Sequence, residues 1–237
     1  MNFETFEPVY EAILADFGFD RAADERARDA AAEFATPFSL DRLGDWRGET
    51  VAVAGAAPCL SDEVDIAREA DVVVAASTAV NVLRGRDVAV DCMVTDLDKN
   101  PETAAALTRE GIPVAAHAHG DNIPAVREWL PRFADDATLA TTQAAPAGPV
   151  RNLGGFTDGD RAAFLADHVG AGRLVFPGWD FDDPDVDPMK ARKLDWAARL
   201  LRWLERRREE RFGVLDGRRD ELDAALGPIL DGADGRN

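Results

Sequence analysis

Three short polar segments of the chain carry side chains that could do chemistry, and each follows an apolar run. The first reads Val94-Thr95-Asp96-Leu97-Asp98, which spaces two carboxylates two residues apart. If the chain stays extended there, Asp96 and Asp98 point the same way, and carboxylate oxygens suit Mg²⁺ that bridges phosphates. The alternative is a polar turn in which Asp98 caps the helix that Pro101 and Glu102 begin.

The second segment, His117 to Asn122, holds two of the three histidines of the chain. His117 and His119 alternate, so both could face a site, and Gly120 permits a sharp turn after them. A zinc site is the obvious rival. However, no third His or Cys lies at a closing distance, and the His-Glu-x-x-His pattern is absent. We therefore expect the histidines, with Asn122, to orient phosphate or a base.

Asp121 belongs to the same segment and has two interpretations. Its carboxylate could complete a metal-binding set with Asp96 and Asp98, because all three would follow strands of one sheet. Alternatively, it is the N-cap of the helix that starts near Pro124.

The third segment runs from Asn152 to Arg161 and combines glycines, acids, a hydroxyl and one arginine ahead of an apolar helical stretch. Backbone N–H groups at such a turn can form an anion site, and Arg161 could neutralise a phosphate. An ordinary Gly-rich loop before a capped helix is the competing interpretation. The candidate nucleotide-binding residues of this segment are Gly155, Thr157, Asp158 and Asp160, with support from Thr141, Thr142 and Gln143 after the preceding strand.

Known nucleotide-binding loops are absent from the sequence. No Gly-x-x-x-x-Gly-Lys-Ser/Thr occurs, and the segment that starts at Gly55 is not Gly-x-Gly-x-x-Gly. Nevertheless, Gly55 to Leu60, including Pro58, follows the first apolar run and precedes a helix, where a phosphate or adenosine could approach the backbone. Trp179 and Phe181 could offer an aromatic wall to a flat ring, although such residues are more often core.

Short apolar runs separated by helical segments must position these groups. The runs suit strands buried on both faces, and their alternation with helices predicts a mostly parallel, Rossmann-like α/β sheet covered on both sides. We expect a helical N-terminal segment at 1–48, a catalytic α/β domain at 49–237 with C-terminal helices, and a frayed tail after Gly227. The predicted strands are Val51 to Ala54, Val72 to Ala76, Val88 to Val94, Ile112 to His117, Thr138 to Thr142 and Leu174 to Phe176.

Composition limits the partners. The 237 residues carry 45 acids and 27 bases, a net charge of −18, which disfavours nucleic acid and anionic lipid. No apolar run is long enough for a membrane span, and two cysteines do not make a disulfide framework, so we expect a cytoplasmic protein. Abundant aspartate with only three lysines is typical of proteins adapted to strong salt. The sequence leaves the oligomeric state open, a homo-oligomer included.

Taken in order, these motifs resemble the archaeal 6-hydroxymethylpterin pyrophosphokinase family, which is related to the catalytic domain of thiamine pyrophosphokinases. The resemblance covers roughly residues 55–194. It is carried by Val94-Thr95-Asp96-Leu97-Asp98, by His117-Ala118-His119-Gly120-Asp121-Asn122, by Gly155-Phe156-Thr157-Asp158-Gly159-Asp160-Arg161 and by Gly178-Trp179-Asp180-Phe181. One departure is the first loop, expected as Gly-x-Gly-Pro-Ser-Leu, which here has Ala57 and Cys59 at its third and fifth positions.

The resemblance implies ATP and Mg²⁺ as co-substrate and cofactor, with 6-hydroxymethyl-7,8-dihydropterin as the acceptor. The products would be AMP and the pterin diphosphate, in the synthesis of a folate or methanopterin-type coenzyme. We expect Asp96, Asp98 and Asp121 to bind the metal, Arg161 to stabilise charge, and His119 or an aspartate to accept the hydroxyl proton. The alternatives are thiamine pyrophosphokinase activity, a non-catalytic nucleotide sensor and a metal-dependent hydrolase.

Overall fold

The chain folds around a parallel β-sheet. The computed structural model describes residues 1–234, with side-chain surroundings described through residue 230. Within that part, the sheet has six strands in the order β5-β4-β3-β2-β1-β6, and every pair is parallel. The strands are β1 (Thr50–Ala54), β2 (Val72–Ala76), β3 (Cys92–Thr95), β4 (Val114–Ala118), β5 (Thr138–Thr142) and β6 (Arg173–Val175).

Helices cover both faces of this sheet, as the sequence predicted. Helices α2 to α6 share one apolar core with the sheet, and α1, α7, α8 and α9 share the other. The helices are α1 (Phe3–Phe17), α2 (Arg21–Ala32), α3 (Leu60–Arg68), α4 (Ala79–Arg84), α5 (Pro101–Arg109), α6 (Ile123–Trp129), α7 (Asp158–Val169), α8 (Pro188–Arg208) and α9 (Arg219–Asp234). The predicted α/β class with a Rossmann-like parallel sheet is confirmed.

The apolar runs become central strands because both of their faces are buried. In β1, Val51 and Val53 pack into the core with α7, whereas Ala52 and Ala54 pack into the core with α3. All four side chains are fully buried. A buried valine contributes about 1.5–3 kcal/mol relative to an exposed one, so a run of this kind has a strong preference for the middle of the sheet.

The apolar run Val88 to Val94 is where the predicted strands differ most from the structure. Only Cys92–Thr95 forms β3, while the residues before it belong to a connection that leaves α4 through Asp87 at φ 58°. Asp91 begins the pairing, because its backbone N–H bonds to the Val73 carbonyl at 2.9 Å and its carboxylate accepts the Val73 N–H at 2.8 Å. Buried valines in a connection are indistinguishable from a strand by composition alone.

The predicted N-terminal segment, residues 1–48, contributes to both cores. Helix α1 packs on α9, and α2 packs on β4, β5 and α6. The division of the chain at residue 48 stays a prediction. At the other end, α9 continues through Gly227 to Asp234, the fraying expected after Gly227 stays a prediction, and residues 235–237 lie outside the described part.

The strand order places a crevice at one end of β1. The chain proceeds from β1 through β2, β3, β4 and β5 on one side, and then returns by α7 to place β6 on the other side of β1. Ligands of parallel α/β sheets bind outside the carboxyl ends of the strands near such a change of direction. Among residues 1–234, no helix has both the length and the apolar character that a membrane crossing requires.

Candidate active site

A cavity of about 360 Å³ opens at the carboxyl ends of the strands. The loops after β1, β2, β3, β4 and β5 all reach it, together with the start of α7, the segment between β6 and α8, and the N-terminal segment. The predicted site residues that line it are Gly55, Pro58, Asp96, Asp98, His119, Asp121, Gln143, Thr157, Asp158 and Arg161. Four others, His117, Asn122, Gly155 and Asp160, are not part of its wall.

Asp96 and Asp98 reach the cavity through a tight turn. Strand β3 ends at Thr95, and Leu97 adopts a left-handed backbone with φ 66°. The expectation of an extended chain is therefore wrong, although both carboxylates line the cavity. Such a conformation costs a non-glycine residue about 1–2 kcal/mol. It is held by the burial of the Leu97 side chain and by hydrogen bonds from Leu97 N to Thr95 Oγ1 (3.0 Å) and from Asp98 N to Asp96 Oδ1 (3.3 Å).

Asp96 is the carboxylate that the cavity keeps ionised. Desolvation would raise its pKa, but the side-chain hydrogen bonds with His119 and Asp98 and the charge of Arg161 together hold the pKa well below its usual range. His119 Nε2 lies 3.7 Å from Asp96 Oδ2. An ionised carboxylate in the wall of a cavity is a ready ligand for a cation.

Asp98 and Asp158 have the opposite shift. Desolvation, followed by the hydrogen bond and charge of Asp96, raises the pKa of Asp98 to about 6. Because Asp98 is exposed to solvent, desolvation contributes less to this rise in pKa, and the charge of Asp96 contributes more. Burial, followed by the charge of Asp96, raises the pKa of Asp158 to about 8, against the lowering effect of Arg161. Three carboxylates therefore repel one another at a single place, which a bound cation would relieve.

Asp121 is not the third member of this acidic group. It lines the cavity but is exposed, and no hydrogen bond or ion pair in the described residues joins it to the other two acids. The third carboxylate near Asp96 and Asp98 is that of Asp158. Nor is Asp121 the N-cap of α6, a position that Asn122 occupies without a side-chain cap bond.

Asn122 connects the ends of β3 and β4 from behind the cavity. Its amide nitrogen donates to the carbonyls of Asp96 (2.6 Å) and His117 (2.7 Å), and its amide oxygen accepts the N–H of His119 at 3.0 Å. The side chain is buried. Asn122 thus positions the residues that face the cavity, instead of facing it as the sequence suggested.

Only one of the two alternating histidines faces the cavity. His119 follows the last residue of β4 and lines the wall, whereas His117 is buried inside the strand. Burial, then the charges of Arg161 and His119, lower the pKa of His117 well below its usual value. Its Nδ1 lies 3.0 Å from Thr141 Oγ1. These surroundings favour a neutral histidine that supports the sheet edge.

The start of α7 separates two acids that lie two residues apart. Asp160 is fully buried and accepts the backbone N–H of Phe156, the N–H of Thr157 (3.0 Å) and the Thr157 hydroxyl (2.7 Å). The N–H groups of Phe156 and Thr157 are therefore occupied by the protein's own carboxylate and do not receive an anion. Asp158 instead faces the cavity, 3.1 Å from Arg161 Nη1.

The loops after β1 and β6 touch through their backbones. Gly55 N donates to the Pro177 carbonyl at 2.9 Å, and Ala57 N to the Gly178 carbonyl at 3.0 Å. A Cβ on Gly55 would lie 2.3 Å from the Gly178 oxygen, so only glycine fits there. The Trp179 indole also donates to the Val53 carbonyl, at 2.8 Å. This contact sets the floor of the crevice beside β1.

Sequence reasoning missed Asp24, which the N-terminal segment supplies from α2. Its carboxylate is buried, lines the cavity and accepts three hydrogen bonds of 2.8 Å, from the Tyr10 hydroxyl, Gly120 N and Gln143 Nε2. The Gln143 amide oxygen in turn accepts from Arg161 Nη2 at 3.3 Å. A helix that looked like an appendage therefore holds part of the wall, and nothing in its charged sequence distinguishes Asp24 from a solvated residue.

Sequence reasoning found Arg161 but missed the lysines of the cavity wall. Lys99, Lys190 and Lys193 line the cavity from the loop after β3 and from the first turns of α8. They are the only lysines of the chain. Their scarcity was visible in the sequence and could have drawn attention to them.

The acids at the cavity suit magnesium only in part. Among the side chains of residues 1–230, no group of three His, Cys, Asp or Glu is arranged to hold a metal ion, so the predicted set of Asp96, Asp98 and Asp121 is not assembled there. Mg²⁺ commonly takes one or two carboxylates and completes its shell with water and substrate phosphates. The neighbouring carboxylates of Asp96 and Asp98 fit a site of that kind, with two protein carboxylates.

Comparisons with known proteins agree with the motifs. The chain matches the family model described as 6-hydroxymethylpterin diphosphokinase MptE-like over residues 28–186. It is 40% identical over 222 residues to 6-hydroxymethyl-7,8-dihydropterin pyrophosphokinase of Methanothermobacter thermautotrophicus, covering 86% of this chain and 95% of the relative. The Pyrococcus furiosus protein of the same name is 34% identical over 226 residues, with 86% and 95% covered. A Methanocaldococcus jannaschii relative, also so named, is 29% identical over 239 residues, with 90% and 99% covered.

Proposed function

Since this chain belongs to the MptE-like family of 6-hydroxymethylpterin diphosphokinases, we infer that the cavity at the sheet edge is where it transfers a pyrophosphoryl group to 6-hydroxymethyl-7,8-dihydropterin. The chain is an enzyme of the pyrophosphokinase class. The observation that carries this assignment to the cavity is the meeting of Asp96, Asp98 and Asp158 with Arg161 and the three lysines at one opening. Acids and cations side by side suit a substrate that is a metal-bound polyphosphate.

The donor that we propose is ATP with Mg²⁺. Asp96 and Asp98 would hold the ion, and bound Mg²⁺ would neutralise phosphate charge as the reaction proceeds. The mutual repulsion that raises the pKa values of Asp98 and Asp158 supports this proposal, because a cation relieves it. The acidic surface of the chain does not oppose ATP binding if a divalent cation and positioned cations receive the phosphates.

The transfer itself requires positioning. The acceptor's hydroxyl oxygen attacks the β-phosphorus in line with departing AMP, so the new O–P bond forms as the bond to AMP breaks. Arg161 lies at the cavity with its guanidinium anchored by Asp158 and Gln143, where it can stabilise the developing charge. His119, whose imidazole faces Asp96, is the proposed acceptor of the hydroxyl proton.

An assay of the nucleotide product tests this function. Protein is incubated with Mg-ATP and either 6-hydroxymethyl-7,8-dihydropterin, thiamine or no acceptor, and AMP and ADP are separated. We expect AMP and a diphosphorylated pterin in equal amounts, only with the pterin. ADP formation would indicate an ordinary kinase. AMP formation with thiamine and not with the pterin would indicate thiamine pyrophosphokinase activity.

Asp96→Asn tests the cavity as the place of reaction. Loss of one electrostatic stabiliser costs about 3–4 kcal/mol in comparable enzymes, so AMP formation should fall at least about a hundredfold while the fold persists. Asp62→Asn is the matched control, since Asp62 is exposed on α3 and away from the cavity. Equal rates for the two variants would remove Asp96 from the mechanism.

The setting of the enzyme is proposed from composition and family together. We propose that it acts in the cytoplasm of a salt-adapted archaeon, in the synthesis of a folate or methanopterin-type coenzyme. The net charge of −18 and the scarcity of lysine support adaptation to strong salt. Activity that rises between low and molar KCl would support it further.

A further inference from the structure

The lysines of this chain have an unusual distribution. Of the 27 basic residues, only Lys99, Lys190 and Lys193 are lysines, and the rest are arginines. All three line the cavity described above. Lys190 and Lys193 are three residues apart near the start of α8, which places them on one face of the helix. Lys99 reaches the same cavity from the loop after β3, directly beyond Asp98.

The ammonium groups of Lys99 and Lys193 act on that of Lys190. Desolvation, followed by the charge of Lys99, lowers the pKa of Lys190, and Lys193 acts in the same direction, while Asp158 and Asp98 oppose it. Lys190 is exposed to solvent, so the nearby positive charges are the more important of these causes. Like charges gathered in this way are unfavourable by themselves, and an anion among them would remove the penalty.

The lysines also lack partners, although acids outnumber bases. None of the three makes an ion pair or a side-chain hydrogen bond with the side chains described, those of residues 1–230. By contrast, the arginines of the same chain are commonly paired; Arg208, for example, contacts Asp167 at 2.9 Å and Glu210 at 2.8 Å.

Arg161 provides an independent indication of an anion at the same place. Its side chain is only 7% exposed and lines the cavity, and its Nε has no hydrogen-bond partner among the residues whose side chains are described. A buried guanidinium nitrogen is rarely left unpaired unless a ligand completes it.

We propose that Lys99, Lys190 and Lys193 form the phosphate-binding cluster that receives the polyphosphate chain of the nucleotide donor. This inference rests on the proposed function and deepens it by assigning the phosphates to this chain's lysines. A lysine ammonium is a compact charge with rotatable donors on a flexible stem, so it can follow a phosphate group during transfer. Arginine serves the fixed ion pairs elsewhere, where its planar fork matches a carboxylate.

Magnesium tripolyphosphate is the direct probe, because it carries the phosphate chain without the base or the sugar. Its affinity is measured by calorimetry at one fixed salt concentration for the wild type, Lys190→Met, Lys193→Met and the double variant. Loss of one charge-assisted contact should weaken binding by about tenfold or more. Lys190→Arg and Lys193→Arg should retain part of the affinity, since the charge remains.

Arg199→Met is the matched control. Arg199 lies on α8, stacks over Trp196 and is not part of the cavity wall, so its removal changes the net charge equally. We expect this variant to bind magnesium tripolyphosphate like the wild type. Steady-state kinetics should show a raised KM for ATP in the lysine variants and an unchanged KM for the pterin.

The results separate this inference from the proposed function. If the double variant binds tripolyphosphate as the wild type does, or if the wild type does not bind it, the lysine assignment is overturned. If AMP formation continues with an unaltered KM for ATP, the function stands and the lysine assignment fails. If the lysines bind tripolyphosphate but the wild type forms no AMP with any acceptor, the assignment stands and the function fails.

Discussion

The buried carboxylate of Asp24 should be essential to the cavity wall, and Asp24→Asn is the substitution that tests it. Asp24 Oδ1 accepts the Gly120 N–H, and Oδ2 accepts both the Tyr10 hydroxyl and the Gln143 amide, each at 2.8 Å. The residue is only 4% exposed, so the loss of a protein partner leaves a largely buried polar group. The substitution keeps the shape of the side chain and exchanges one acceptor oxygen for a donor.

The expected loss of unfolding free energy follows from the hydrogen-bond donors that surround the side chain of residue 24. If the asparagine oxygen stays on Gly120, its new NH₂ group faces the Tyr10 hydroxyl, which can rotate to accept, and the Gln143 amide, which cannot without turning its own oxygen away from Arg161. At least one charge-assisted hydrogen bond is then lost and one buried donor is unpaired. That change costs about 1.5–3 kcal/mol of unfolding free energy. Tyr10→Phe removes a single donor to the same carboxylate and should also cost about 1.5–3 kcal/mol of unfolding free energy.

The assay combines urea unfolding with AMP release, both at one fixed salt concentration. Asp24→Asn should lower the unfolding free energy by the amount above without changing the urea dependence, and it should reduce AMP release because Gln143 and Arg161 lose their orientation. Tyr10→Phe should keep most of the activity. This difference separates a positioning role from a purely structural one.

Asp29→Asn supplies the matched control on the same helix. Asp29 is exposed and pairs only with its neighbour Arg28, at 2.7 Å, an ion pair that contributes about 0–1 kcal/mol. If Asp24→Asn has the same unfolding free energy and the same rate of AMP release as Asp29→Asn, the positioning role of Asp24 through its three hydrogen bonds is refuted.

Two further changes test the crevice and the acidic group. Gly55→Ala puts a methyl group 2.3 Å from the Gly178 carbonyl oxygen and should lower the unfolding free energy by about 1–3 kcal/mol, whereas Gly213→Ala meets open space and should not; thermal unfolding compares them. In EDTA, the pKa of Asp158 is raised to about 8, so its ionisation opposes folding. The unfolding free energy should therefore fall as the pH rises from about 4, near the ordinary pKa of an aspartate, to about 8. Asp158→Asn cannot ionise, so its unfolding free energy should fall with pH less steeply than that of the wild type, by up to about 1.4 kcal/mol per pH unit. The midpoints of urea unfolding measured from about pH 4 to about pH 8 test this, and the same pH dependence in both proteins would contradict it.

The sheet was predictable from sequence because its strands are buried on both faces. A run such as Val72 to Ala76 is apolar throughout, so neither face has to be guessed, and its bounds were predicted correctly. Val88 to Val94 misled for the same reason, since valines packed in a connection look identical to valines in a strand. Burial therefore predicted which residues are inside, while backbone pairing decided which of them form strands.

The cavity was predictable in its carboxylates and not in their directions. Asp96 and Asp98 both line the cavity because Leu97 between them has a left-handed backbone. Asp158 also lines the cavity, whereas Asp160, two residues later, accepts backbone N–H groups at the start of α7. Asp158 and Asp160 have the same chemistry, and only the local backbone decides that Asp158 lines the cavity while Asp160 caps the helix. Residue type alone carries no information about that choice.

Charge explains why this cavity is suited to a metal–polyphosphate and to neither component alone. Without a cation, Asp96, Asp98 and Asp158 repel one another, and without an anion the lysines and the Arg161 Nε remain unpaired. Either component alone relieves one group and leaves repulsion within the other, which contacts such as that of Asp158 with Arg161 offset only in part. Under the proposed function, magnesium-bound ATP satisfies both groups in one step, so a chain with a net charge of −18 can bind a polyanion without a basic surface.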